Sequence, residues 1–241
     1  MKRKNKVLSL FKHSTISYRE KHSKISEGYI MNTIKFNDID PGNPTKRVPT
    51  TLILDCSSSM FGNSIGALNA GVLTLKEEVE KDEQACLSVD LSVISFGGTV
   101  SIRHDFSSIE HFNPQPIQAC GDTPMGQAIM MSLDNCEKRK SFYRENGIPI
   151  YRPWLFLITD GAPTDEWQTA AKRVRQGEVE KKFLFFAVGV AGANMDILTQ
   201  IAPPERPPVL LNGLSFKEMF LWLRAYPKTP AARNVITEQA R

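Results

Sequence analysis

The residues of this 241-residue chain that could do chemistry are two acids and three hydroxyls. "TTLILD" (Thr50 to Asp55) is a greasy, β-prone run that ends abruptly in an acid, and Ser57 and Ser59 follow at alternate positions. "PWLFLITD" (Pro153 to Asp160) repeats the device. Between the two runs, Thr123 stands just before Pro124 in "CGDTPMGQAI". Two carboxylates brought close together at neutral pH repel one another unless something positive sits between them. Oxygen donors without His or Cys suit a hard cation, and acids mixed with neutral hydroxyls suit octahedral Mg2+ or Mn2+ with room for water. An Asp-x-Ser-x-Ser turn can point alternate side chains at one centre, and small hydroxyls let an ion come near the backbone. Asp55, Ser57, Ser59, Thr123 and Asp160 are therefore the candidate metal-ligating residues. Each alone has a plainer reading, the serines and Thr123 as helix N-caps and the acids as turn residues.

The elements that must position these groups follow from periodicity. Thr50 to Asp55, Pro153 to Asp160 and "KFLFFAVGV" are short apolar runs of the kind buried on both faces of a parallel sheet. "CLSVDLSVISF" (Cys86 to Phe96) alternates as a strand, Gly97 and Gly98 make a hairpin turn, and "TVSIRHDF" returns. "PPVLLN" reads as a late edge strand. Helices are predicted where apolar residues recur in steps of three and four. One carries Ile65, Leu68, Val72, Leu75 and Val79. The next carries Met125, Ala128, Ile129 and Leu133, with Thr123 as its N-cap and Pro124 in its first turn. Another carries Trp167, Ala170, Ala171 and Val174, and Asn194 to Ile201 is a short one. The last, "SFKEMFLWLRA", opens with a capping box of Ser215 and Glu218. Strands alternating with helices, apart from one hairpin, predict an α/β fold with a mostly parallel central sheet, one antiparallel strand and helices on both faces. In such a sheet, ligands bind beyond the carboxyl ends of the strands, where the strand order reverses. Asp55 and Asp160 both project there, and so does the loop holding Thr123.

The net charge of +4 is unevenly placed. Residues 1–30 carry eight Lys/Arg against Glu20 and Glu27, so the body of the chain is close to neutral. No basic stripe marks that body as a nucleic-acid binder. The expected organisation is a basic tail and lead-in over 1–48, one domain over 49–226 and a tail over 227–241. Two readings of residues 1–30 stay open: a solvated arm, or an extension upstream of a beginning at Met31. Detection of 1–30 by mass spectrometry in protein from the native host would exclude the second. No stretch approaches the roughly 18–20 apolar residues of a membrane span. The apolar stretch Val7 to Phe11 is too short for a secretory signal, so the expected location is the cytoplasm. Cys56, Cys86, Cys120 and Cys136 form no C-x-x-C pair and read as reduced thiols, Cys86 and Cys136 buried. His104 and His111 read as satisfied histidines, not ligands.

The three loops resemble, in order, those of von Willebrand factor A domains. Asp55-Cys56-Ser57-Ser58-Ser59 resembles the family's Asp-x-Ser-x-Ser motif, "GDTPMGQAI" its second loop and "FLITDGAPTD" its third. The resemblance covers about Pro49 to Ala225. Cys56 departs from it, since a small Gly or Thr usually stands there, and with Cys120 it places two thiols at the rim. The resemblance implies a three-layer Rossmann-like fold and a metal-ion-dependent adhesion site. Ser57, Ser59 and Thr123 would bind Mg2+ or Mn2+ directly or through water. Asp55 and Asp160 would act largely through waters, and a position would stay open for an acidic residue of a partner protein. "RPWLFLITDG" and "SFKEMFLWLRA" look most like the bacterial stand-alone members typified by the tellurite-resistance protein TerY. That narrower likeness implies a cytosolic accessory protein of stress or phage defence, partnered with an operon-encoded kinase or PP2C-type phosphatase.

The function expected is thus a metal-dependent protein-binding module, not an enzyme. Two alternatives stay open. A Mg2+-dependent phosphatase of the haloacid dehalogenase type would use a strand-ending Asp as nucleophile, but it wants a second acid two residues on, where Ser57 stands. No Walker lysine follows a Gly-rich loop. A metal-independent scaffold would bind its partner equally well without the ion.

Overall fold

The computed structural model describes residues 43–211. Val48–Asp55 forms β1, in which all eight residues are buried. Alternation sends Leu52 and Leu54 to one face and Ile53 to the other, and a hydrophobic cluster covers each face. That two-sided cover is why the run is apolar throughout. Burial of each such side chain stabilises the fold by about 1.5–3 kcal/mol. The remaining strands are β2 (Val89–Gly97), β3 (Thr99–Ser108), β4 (Trp154–Thr159), β5 (Leu184–Gly189) and β6 (Val209–Leu210). They form one six-stranded sheet in the order β3-β2-β1-β4-β5-β6. All pairings are parallel except that of β3 with β2, as the hairpin at Gly97 and Gly98 requires.

Helix α1 (Asn63–Glu80) buries Leu68, Val72, Leu75 and Val79 against one face of the sheet. Helices α3 (Met125–Glu145), α4 (Gln168–Val179) and α5 (Met195–Ile201) cover the other, through Ala128, Ile129, Leu133, Val174 and Leu198. The expected α/β architecture, with helices on both faces, is the one observed. Two elements differ from the sequence reading. Cys86 to Ser88 do not belong to β2 but to a short helix, α2 (Glu83–Ser88). Asp82 caps it, accepting from the backbone N–H groups of Gln84 and Ala85, and this local bond outcompetes the β-alternation that begins at Leu87. "PPVLLN" contributes only Val209 and Leu210 to the sheet edge.

From β1 the chain steps to one side for β2 and β3, then crosses to the other for β4 to β6. The order therefore reverses between β1 and β4, and the carboxyl ends of those two strands flank the crevice. The basic residues 1–30, the domain limit at 226, the Ser215 to Ala225 helix and the C-terminal tail all fall outside the described residues.

Candidate metal centre at the carboxyl edge

The register of β1 on β4 pairs Leu54 with Ile158, which sets Asp55 level with Thr159 and Asp160 one residue beyond. Asp55 is fully buried. Its Oδ1 accepts from the Ser57 backbone N–H at 2.8 Å, and its Oδ2 from the Thr159 hydroxyl. Burial pushes the Asp55 carboxyl above its ordinary range. The hydroxyls of Ser57 and Thr159 and the Ser57 N–H pull it back, and Asp160 pushes it further up.

Ser57 and Ser59 flank Ser58, the start of a single 3-10 turn over Ser58–Met60. Their hydroxyls do not cap a helix. Ser57 Oγ lies 3.0 Å from Ser59 Oγ, and Ser59 Oγ donates to Asp160 Oδ1 at 2.7 Å. Met60, wholly buried, anchors the turn from below.

Thr123 corrects the sequence reading in one respect. It is not the cap of α3, whose N-terminal residue Pro124 makes no side-chain cap either. Asp165 does that work from another loop, its Oδ1 and Oδ2 accepting from the backbone N–H groups of Gly126 and Gln127 at 2.9 and 2.8 Å. The backbone of Thr123 is clamped to Thr164, which donates its N–H to Thr123 O at 2.9 Å and accepts from Thr123 N at 3.1 Å. The Thr123 hydroxyl is left with no hydrogen bond among the described residues, though the residue is only 6% exposed.

Gly161 measures how tightly these oxygens converge. A methyl group built on it would lie 3.6 Å from Ser59 Oγ, 3.7 Å from Thr123 Oγ1 and 3.8 Å from Asp55 Oδ2. With the bonds above, all five sequence-chosen residues meet around one small polar cradle. Two carboxylates lie in it with no Lys or Arg ion-paired to either among the described residues, and one hydroxyl is unused. That donor set fits a hard divalent cation. No group of three or more His, Cys, Asp or Glu that could hold a metal occurs among the described residues.

Thr159, Thr164 and Asp165 support the site and were not singled out from sequence. Two strands ending in acids invite alignment of Asp55 with Asp160, whereas the register aligns Asp55 with Thr159. The thiols part company. Cys56 is buried in the core under α1, with its thiol pushed up by burial, and Cys120 is exposed. Their backbones meet, Cys120 N donating to Cys56 O at 2.7 Å. Gly97 sits under that contact, where a Cβ would fall 2.3 Å from Cys56 O. Cys136 is buried as expected, but Cys86 is only half-buried. His104 bonds Ser107 at 2.7 Å and His111 bonds Ser108 at 2.8 Å, remote roles with no part in the cradle.

Solved structures with this fold include the pilus adhesin SpaC of Lactobacillus rhamnosus GG, at 14% identity and a TM-score of 0.61, over 80% of this chain and 30% of that one. The ArnB paralog VWA2 of Sulfolobus acidocaldarius matches at 17% identity and a TM-score of 0.52, over 74% and 44%. Proximal thread matrix protein 1 of the mussel byssus, solved with a zinc-occupied MIDAS motif, matches at 16% identity and a TM-score of 0.50, over 74% and 45%. The chain thus spans less than half the length of these three proteins. No curated protein sequence matches. No helix among the described residues is long and apolar enough to cross a membrane. The family model for the von Willebrand factor type A domain matches residues 51–218, well over half of the chain and all three loops of the cradle. The chain belongs to the von Willebrand factor type A family, whose members often bind metal at such a site, mediate protein interactions and are generally not enzymes.

Proposed function

We propose that this protein is a metal-ion-dependent protein-binding module in which Asp55, Ser57, Ser59, Thr123 and Asp160 hold Mg2+ or Mn2+ and a partner protein supplies an acidic side chain to the open position. The observation that carries the reading is the Thr123 hydroxyl. It makes no hydrogen bond among the described residues, yet it faces the same cradle as Ser59 Oγ and Asp55 Oδ2. A bound cation would supply the positive charge that the two carboxylates lack and a Lewis-acidic position for a carboxylate. The chain's own residues do the rest. The Thr159 hydroxyl and the Ser57 N–H orient Asp55, Asp160 orients Ser59, and the Thr164 clamp fixes Thr123. Three neutral hydroxyls and two acids leave the site free of excess negative charge, so a further carboxylate can join it. The zinc-occupied motif of the mussel protein supports a divalent ion at such a site.

Among the described residues no general base or nucleophile with an activating partner stands beside the cradle, which favours binding over catalysis. In the finer reading the protein is a cytoplasmic, TerY-like accessory factor of a stress or defence system, and its partner is an operon-encoded kinase or PP2C-type phosphatase. The likeness of "RPWLFLITDG" and "SFKEMFLWLRA" supports it. The test is affinity capture from the native host with Mg2+ or with EDTA, using Asp55→Ala as control bait. A partner retained only by the intact bait with Mg2+ is expected. A partner held equally by every bait would make the protein a metal-independent scaffold.

A further inference from the structure

Five loops meet at the carboxyl edge: 56–62, 97–98, 119–124, 160–167 and 190–194. Backbone bonds stitch them together, Ser58 N to Gly121 O, Gly98 N to Asp122 O, Thr164 N to Thr123 O and Val190 N to Thr159 O. None of the five contains a Lys or Arg. Beyond Asp55 and Asp160 they hold three more acids, Asp122, Asp165 and Glu166. Asp165 is committed to the first turn of α3. Asp122 is exposed, adjoins Thr123 in the chain and has no side-chain partner among the described residues. Glu166 is exposed, caps the start of α4 through Thr169, and its backbone presses on Gly126. On the Ser59 side stands Phe61, 82% exposed, the most exposed large hydrophobic side chain among the described residues. Met60 beside it is wholly buried, so the turn that carries Ser57 and Ser59 sets one apolar residue into the core and the next into solvent.

These features constrain what can dock. A segment rich in acids would deliver one carboxylate to the cradle, but Asp122 and Glu166 would repel its neighbours. A segment with one acid flanked by a cation would be attracted throughout. Phe61 adds an apolar contact that excludes water beside the charged groups. We propose that the partner of this site is a protein segment carrying a single carboxylate, with a Lys or Arg beside it for Asp122 and Glu166 and an apolar side chain for Phe61. This rests on the metal-dependent reading above and goes beyond it by naming the residues around the bridging acid. The rim charges are exposed, so each contributes about two- to fivefold to affinity at low salt and less as salt rises.

The experiment is selection of random dodecapeptides displayed on phage against the full chain in Mg2+, with EDTA elution, and fluorescence anisotropy on synthetic peptides from the enriched pool. The expected pool has one Asp or Glu with Lys or Arg within two positions and an apolar neighbour. The paired charge reversal Asp122→Lys, Glu166→Lys should weaken those peptides about tenfold and select acidic flanks instead. Phe61→Ser should remove the apolar preference. Unfolding temperature and Mg2+ calorimetry on each variant identify a misfolded or metal-deficient protein before the peptides are read. Metal-dependent peptides with acidic or random flanks would overturn this inference and leave the metal reading standing. A pool that survives EDTA, or none enriched by Mg2+, would overturn both.

Discussion

Thr123 is the most telling single residue. Because its hydroxyl bonds to nothing among the described residues, Thr123→Val should keep the shape of the site and leave the unfolding temperature nearly unchanged. The same variant should weaken Mg2+ at least about tenfold, as loss of a ligand or its immediate support generally does. Thr159→Val differs, since it takes a donor from a fully buried carboxylate. A cost of about 1–3 kcal/mol is expected in urea unfolding of the metal-free protein. Asp55 also sets a pH dependence. Burial raises its folded pKa, so the folded, metal-free state holds this proton more tightly than the unfolded chain. That stabilising proton is bound in acid and lost as pH rises through the raised value. A cation must compete with it, so apparent Mg2+ affinity should fall on acidification from neutral pH toward about 4, which titration calorimetry in a pH series would register. The thiols divide by burial. Cys136, its pKa pushed up to about 12, and buried Cys56 should resist iodoacetamide in the native protein at pH 8, while exposed Cys120 reacts. Peptide mapping after labelling would read the order. The cradle residues were legible because each follows a local rule, an acid ending an apolar run or a hydroxyl opening a turn. Thr159, Thr164 and Asp165 were not, because their roles exist only across the fold. Asp165 serves α3 from about forty residues away, and no spacing signals that.

At the scale of elements, β1 and β4 present the acids and α3 holds Thr123 in place. The trans cap makes α3 depend on the β4–α4 loop. Asp165→Ala should cost about 1 kcal/mol and, by loosening the first turn of α3, should weaken Mg2+ as well, whereas an ordinary surface cap would affect stability alone. Parallel thermal and calorimetric measurements separate the two. The strands and long helices could be read from periodicity because burial on both faces demands apolar runs and burial on one face demands steps of three and four. The miss at Cys86 to Ser88 has a specific cause. Leu87, Val89 and Leu91 alternate as a strand should, yet Asp82 captures two backbone N–H groups and winds the first residues into a helical turn. A two-residue strand such as β6 leaves no periodicity to read, and its extent is set by where Gly189 ends its neighbour.

At the scale of the molecule, one sheet with a reversal between β1 and β4 creates the crevice, and five loops free of Lys and Arg frame it. A cation bound there stabilises only the folded state, because the unfolded chain scatters its five oxygens over more than a hundred residues. The most direct measurement is isothermal titration of Mg2+ into the metal-stripped chain beside Thr123→Val and Asp55→Ala. The account predicts one site per chain in the parent protein, a weakening of at least about tenfold in Thr123→Val with its fold intact, and no measurable site in Asp55→Ala. Equal Mg2+ binding by all three proteins, or none by the parent, would contradict it.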